Sequence, residues 1–393
     1  MKILTNILNP IDKETVEFLD NHIIEIDKGI ITRIAPKIKN VASKGLKDFS
    51  KSIVTPALID THTHLPQLPI AGNYGYELME WLNNYALPSE IKFEDLKYAK
   101  ELSKKFFEEL KKVGTATAVI YSSIHRESTN IAFEEAEKSK LRIFMGKTMM
   151  NQNCPKELCE NAIQSLSESY ELQKKWHKKN ENLQYVYSPR FGISTSPELM
   201  KEAAKLSRLN NTFLQTHINE NKQEIDFVKK TYSKTYAQVY EEAKILGPKT
   251  LLAHAIHNTK EEFDILQKTK TNIIHCPDAN LFLNSGQFPL KEFEEREIPI
   301  GLGSDVGAGT TLDMFQIMKS MIYRQDDLIP IESPFYYATK GNAKILETNS
   351  GEILEGKNAE FLKIDFKEKP QNAREILKKL IFSQEYKREL LIF

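Results

Sequence analysis

Eight short apolar segments constrain this chain more than any other feature. They fall at 57–61, 116–121, 141–146, 184–188, 213–217, 251–254, 272–275 and 299–303, and most intervals between them carry a helical period. Ala99, Leu102, Phe106, Leu110 and Val113 recur every three or four residues, and Gly114 follows as a stop. Ser196-Pro197-Glu198 opens the interval 196–209 with an N-cap, a proline at the first helical position and an acid in the first turn. Eight strand–helix repeats over roughly 250–300 residues predict an α/β chain folded as a (β/α)₈ barrel. An open doubly wound sheet is the competing fold, but no glycine-rich phosphate-binding turn follows the first strand.

The two ends read as β structure instead. Ile23-Ile24-Glu25-Ile26 and Ile30-Ile31-Thr32-Arg33-Ile34 flank Asp27-Lys28-Gly29, a hairpin signal. Ala359 to Ile364 is a further strand candidate after the turn Glu355-Gly356-Lys357-Asn358. The expected organisation is a small β-sandwich side domain from both termini, residues 1–54 with 355–393, beside a barrel domain of 55–354. One connection is anomalous for its length, Leu65 through Lys92, which is rich in proline, glycine and aromatics. Tyr74, Tyr76, Trp81 and Tyr85 within it argue against disorder, so it reads as an ordered functional loop.

Composition narrows the function. Hydrophobic residues make up 40% of the 393 residues, enough for a substantial core. Lys plus Arg (54) equals Asp plus Glu (54), which removes the general attraction of a nucleic-acid or acidic-membrane binder. No apolar run approaches the ~18–20 residues of a membrane span. The stretch Ile3 to Leu8 is too short and polar for a signal-peptide core. Cys154, Cys159 and Cys276 offer neither a disulfide framework nor the spacing of a cysteine zinc site. The expected setting is therefore the cytoplasm, and the expected partner a small molecule, with no nucleic acid and no membrane. The run Lys174 to Lys179 reads as a solvated helix end, and His22 and His177 as solvated.

His62-Thr63-His64 ends the first strand, where residues i and i+2 point to one side and both imidazoles can face the barrel axis. An H-x-H pair alone arises by chance. The weight rests on its company: His217 ends the fifth strand, His254 the sixth, and Asp305 follows the eighth. A barrel brings those strand ends to one rim, where active sites are built. Imidazoles with one carboxylate suit a zinc ion that keeps a water, whose pKa then falls to about 7. Glu220, three residues beyond His217, reads equally as a proton shuttle beside that metal or as a helix-start acid at the positive end of a dipole. Taken alone, Arg190 reads as a surface salt-bridge partner and Phe191 as a core ring. His125 lies near the rim, His257 reads as a loop residue, His275 ends the seventh strand and Cys276 reads as a buried thiol.

Pro56-Ala57-Leu58-Ile59-Asp60-Thr61-His62-Thr63-His64 resembles the opening motif of the amidohydrolase superfamily. Leu252-Ala253-His254, His275-Cys276-Pro277 and Gly301-Leu302-Gly303-Ser304-Asp305 are similar to its later motifs, in order. His64-Leu65-Pro66-Gln67, Tyr74-Gly75, Glu80-Trp81-Leu82-Asn83, Pro189-Arg190-Phe191 and Gln215 to Asn221 resemble, more narrowly, the guanine deaminase family within it. The resemblance runs from about residue 20 to 365. It implies one zinc per chain held by His62, His64, His217 and Asp305, with iron(II) the other candidate. It also implies catalytic work by Glu220, Asp305 and His254. Guanine as substrate would be held by Gln67, Trp81, Arg190, Phe191, His217 and Glu220, in a homodimer. Another ring deaminase, acting on 8-oxoguanine, a pterin or an s-triazine, is the nearest alternative, and a non-catalytic barrel scaffold a more distant one. The chain departs from the family at Leu65, in a shortened stretch at Asp326–Ile329 and in a brief C-terminus, all away from the metal set.

Overall fold

The computed structural model describes residues 1–37, 45–323, 325, 327–368 and 370–393; residues 38–44 of the expected side domain and Asp326 of the shortened stretch lie outside these. Four strands lead the chain: β1 (Lys2–Pro10), β2 (Val16–Asp27), β3 (Ile30–Pro36) and β4 (Leu46–Pro56). The central strands are β5 (Leu58–His64), β6 (Thr115–Tyr121), β7 (Arg142–Gly146), the two-residue β8 (Thr148–Met149) and β9 (Leu183–Pro189). They continue as β10 (Phe213–Ile218), β11 (Thr250–His254), β12 (Asn272–His275) and β13 (Ile300–Leu302). Two more, β14 (Glu360–Phe366) and β15 (Tyr386–Ile392), close the chain.

The terminal strands form one six-stranded sheet in the order β15-β14-β4-β1-β2-β3. Its β2–β3 hairpin follows from local chemistry: Lys28 (φ 46°) and Gly29 (φ 79°) both adopt positive φ, as a two-residue turn matched to strand twist requires. Asn6 sits where the β1 ladders shift register, and its side chain supplies what the backbone there cannot. Its amide donates to Ser50 O (2.8 Å) and Ser52 O (2.7 Å) and accepts from Asn21 N (3.0 Å). One face of the sheet buries Ile3, Ile7, Ile24, Ile26, Ile31, Val54 and Phe361, each contributing about 1.5–3 kcal/mol by leaving water.

The second sheet runs β13-β12-β11-β10-β9-β7-β6-β5, parallel throughout the recorded pairings, with β8 on β9. Asp305 N donates to His62 O (2.7 Å) and His64 N to Val306 O (2.8 Å), which brings the end of the eighth barrel strand back to the first. This is the expected (β/α)₈ barrel, a mixed α/β fold with a separate terminal sheet. Gly303 makes the return tight: a Cβ there would meet the His62 Cβ at 2.7 Å and its N at 3.0 Å. The helices cap as their sequences direct. Asp95 Oδ1 accepts from Lys97 N and Tyr98 N at the head of the helix Leu96–Val113, and Ser196 Oγ accepts from Leu199 N at the head of Pro197–Leu209. No helix among the described residues is long and apolar enough to cross a membrane.

The connection read as a loop is largely helical. Leu65–Ile70 is a 3-10 turn, and Leu78 through Lys92 winds as two short α segments joined by a wider turn. Prolines and glycines at 66, 69, 72, 75 and 88 hide a helical period of buried Leu78, Trp81, Leu82, Ala86 and Glu90. Pro88 is tolerated because it lies in the first turn of its segment. By contacts the chain divides into Met1–Asp60 with Glu109–Thr117 and Asp313–Phe393, and Thr61–Glu108 with Ala118–Leu312.

Candidate active site

Strand ends deliver the donor cluster, and all of it lies in the second of those units. One ligand atom each from His62, His217, His254 and Asp305 lies within 4.8 Å of the others. His64 joins through Nε2, 3.2 Å from Asp305 Oδ1 and 3.3 Å from His217 Nε2. His62 Nε2 is also 3.2 Å from Asp305 Oδ1. Outer hydrogen bonds fix two of the rings. His217 Nδ1–H donates to Arg190 O (2.7 Å) and His254 Nδ1–H to Asn280 Oδ1 (2.9 Å), leaving both Nε2 lone pairs turned inward. The ring of Tyr121 stacks on His64 at 4.7 Å.

Two backbone positions show what holds these groups. His254 (φ 75°) and Asp305 (φ 49°) adopt the left-handed region, at a cost on the order of 1 kcal/mol each. Ala255 N donates to Ile218 O (2.8 Å) and Gly309 N to Asp305 O (2.6 Å), which pins both turns. Burial keeps His64 neutral, its pKa brought down to about 4, and with the neighbouring imidazoles holds His217 well below its usual range. Burial pushes the Asp305 carboxyl up, but hydrogen bonds from His62 and His64 outweigh it and hold it well below the carboxylate range. Neutral imidazole lone pairs crowded around one carboxylate repel unless a cation accepts them. The donor set therefore fits a divalent metal ion.

Glu220 lies just past β10, because Asn219 takes φ 50° and turns the chain. Its Oε2 is 3.4 Å from His254 Nε2, and Ser285 Oγ donates to its Oε1 at 3.5 Å. Burial, then the charge of Asp305, raises its pKa well above the usual carboxylate value and so favours its protonated form. The helix-start acid is Glu224, which closes a capping box with Asn221 and whose pKa burial raises to about 7.

Beside the cluster opens a cleft lined by His64, Gln67, Trp81, Arg190, Phe191, His217, Glu220, His254 and Asp305, with Leu78, Leu82 and Ala308. Every residue assigned to substrate or chemistry from the sequence lines it; His62 lies behind, in the metal cluster. Trp81 is fixed by Nε1–H donating to Asn73 O (2.9 Å). Arg190 is neither at the surface nor free. Its Nη1 donates to both oxygens of Glu90 (2.5 and 2.6 Å), and Glu90 Oε1 also accepts from Gln67 Nε2 (2.8 Å). Glu90, buried to 1% exposure, went unnoticed in the sequence because it lay in the stretch read as loop.

Other histidines stay outside the cavity. His257 Nε2–H donates to Ser285 O (2.7 Å), His22 is half-buried, and His125 precedes the helix Arg126–Ser139. The solvated reading of His177 is corrected: it is half-buried, and its Nδ1 accepts from Tyr185 N (3.3 Å) at the end of a helix that runs against β9. Lys175 and Lys179 of the basic run lie over the buried Trp176 ring. Cys276 is buried, and all three cysteines are free thiols.

His275 stacks on Phe288 at 4.2 Å with neither ring nitrogen hydrogen-bonded among the described residues, and burial lowers its pKa from 6.5 to about 3. Between those values the unfolded chain binds a proton that the folded chain refuses. Stability therefore falls as pH drops from about 6.5 toward 3. At pH 5 the linkage amounts to roughly 2 kcal/mol. A His275→Leu variant is expected to lose about 2 °C less in Tm than the parent between pH 7.5 and pH 5, read by scanning calorimetry. An identical acid drop in both proteins would contradict it.

The Amidohydrolase family model matches residues 53–389. Guanine deaminase of Escherichia coli K12 is 38% identical over 325 residues, covering 81% of this chain and 74% of that protein. Guanine deaminase of Dictyostelium discoideum is 30% identical over 392 residues, covering 91% and 87%. The crystal structure of guanine deaminase from C. acetobutylicum with bound guanine in the active site superposes with a TM-score of 0.94 at 29% identity, covering 100% of this chain and 99% of that one. By family match, sequence identity and fold, this chain belongs to the amidohydrolase family, among its guanine deaminases.

Proposed function

We propose that the chain hydrolyses the 2-amino group of guanine, leaving xanthine and releasing ammonia. One observation carries this reading: a metal-type donor cluster and the Gln67–Glu90–Arg190 group share a single cavity with Phe191. Guanine is flat, uncharged and polar at its edges. Phe191 covers a ring face, and Arg190 donates to the carbonyl edge. The pairing of Arg190 with Glu90 leaves the wall without net charge, as an uncharged ligand requires. The guanine deaminase relatives support the same substrate.

A divalent ion held by His62, His64, His217 and Asp305 would acidify water to a pKa near 7. The residues of the chain do the rest. Glu220, whose protonated form burial favours, donates to ring N3 as water adds to C2. Asp305 takes one proton from that water, and His254, oriented by Asn280, fixes its approach. Asp305 then passes its proton to the amino nitrogen. The hydroxyl proton returns to Glu220 as the C2 carbonyl forms, the C2–N bond breaks and ammonia leaves. Protons balance, and both carboxyl groups end as they began.

Comparing kcat/KM for guanine, 8-oxoguanine, a pterin and an amino-s-triazine tests the substrate. Guanine is expected to lead; a tenfold preference for any of the others would contradict the reading. Zinc is the ion that this nitrogen-rich set suits best, with iron(II) second, and metal analysis of the purified protein decides between them. The reading extends to a cytoplasmic homodimer with a side domain of 1–54 and 355–393 around a catalytic domain of 55–354. Light scattering after gel filtration tests the dimer.

A further inference from the structure

We propose that Glu90 is a positioning residue that sets the hydrogen-bond polarity of the pocket, so that the site takes a ring edge made of a carbonyl beside an N–H and rejects the reversed edge. The proposal deepens the guanine reading and rests on it. Glu90 is buried on the segment Leu87–Lys92, and the neighbouring Ser89 Oγ donates to Pro66 O (2.7 Å), tying this segment to the turn that carries Gln67. Its carboxylate joins two side chains far apart in sequence, Gln67 and Arg190, both of which line the cavity.

An arginine alone would satisfy a buried carboxylate as a structural ion pair. The bond to Gln67 does something more. An amide has two orientations, and only one turns Nε2–H toward Glu90; the other would press Oε1 against a carboxylate oxygen, acceptor to acceptor. Glu90 therefore fixes Gln67 with Oε1 turned away, where Gly307 N reaches it at 3.4 Å and one lone pair remains for a ligand. Glu90 engages only Nη1 of Arg190, leaving Nη2 and Nε as donors in a residue that lines the cavity. The wall thus offers donors from Arg190 and an acceptor from Gln67. Guanine matches this with O6 and N1–H. The purine 2,6-diaminopurine carries the same 2-amino leaving group but presents an amino group and a bare N1, so donor meets donor and acceptor meets acceptor. Sites built on such pairs discriminate strongly, because a mismatched edge leaves buried polar groups unpaired.

Glu90→Gln tests this, since an amide at 90 can serve either orientation of Gln67. Release of ammonia from guanine and from 2,6-diaminopurine is measured for parent and variant, with bound metal and Tm as controls. The variant is expected to lose about 100-fold in kcat/KM for guanine, mainly through KM. Its preference for guanine over 2,6-diaminopurine should narrow by at least about tenfold, with metal content unchanged. Equal losses on both substrates would mark Glu90 as merely structural and overturn the proposal, as would unchanged kinetics. Should Glu90→Gln not fold, Gln67→Leu leaves the Arg190–Glu90 pair intact and must narrow the same ratio; an undiminished ratio there also overturns it. Failure of the parent itself to turn over guanine is a separate outcome, which removes the functional reading and this inference together.

Discussion

Glu220→Gln is expected to fold, keep its metal and lose about 10³–10⁴-fold in kcat on guanine, with KM changed by no more than a few-fold. The amide is nearly isosteric but has no carboxyl proton to give to ring N3 or to recover from the forming carbonyl. The residues proposed to grip the purine, Arg190, Phe191 and Gln67, are untouched. Glu220 is raised in pKa because it is buried beside Asp305, and a neutral amide there avoids the larger cost of burying a charge. Steady-state kinetics with metal analysis of the same sample checks this. A variant within tenfold of the parent rate would remove Glu220 from the proton path, leaving it with the hydrogen bond from Ser285 and its contact with His254.

Stripping the metal should have the other large effect. Chelation is expected to lower guanine turnover more than 10³-fold and to reduce Tm by about 5 °C relative to a sample at a thousandfold metal saturation. Re-addition of zinc should restore both. The physical basis is the crowding of donors. The His64 and His217 Nε2 atoms lie 3.3 Å apart, with His64 Nε2 3.2 Å from Asp305 Oδ1, and a bound cation would take up the lone pairs gathered there. The stabilisation by metal should therefore shrink only as pH falls toward about 4, where His64 gains a proton. Undiminished turnover in a sample shown by mass spectrometry to be metal-free would contradict it.

What could be read in the sequence depended on how local its cause was. The barrel strands announced themselves as apolar runs, and β12 occupies 272–275 as expected. The first barrel strand was drawn too short, at 57–61. In the structure β5 continues through His64, as the reading of His62-Thr63-His64 as the end of that strand requires. The donor cluster was visible because strand ends share a rim in any such barrel, whatever the loops do. Glu90 was not. Its partners lie 23 and 100 residues away, and the stretch that carries it reads as loop. A period of buried residues through 78–90 was the available signal, obscured by Pro88 and by the wider turn at Leu82–Ala86. His177 shows the converse error: a polar neighbourhood in sequence concealed a partner, Tyr185 N, supplied by β9.

The measurement that bears most directly on this account is the product balance of the metal-replete protein given guanine. Xanthine and ammonia formed one to one, at a rate proportional to enzyme, is the predicted result. Guanine recovered unchanged, with metal bound and the protein folded, would contradict it.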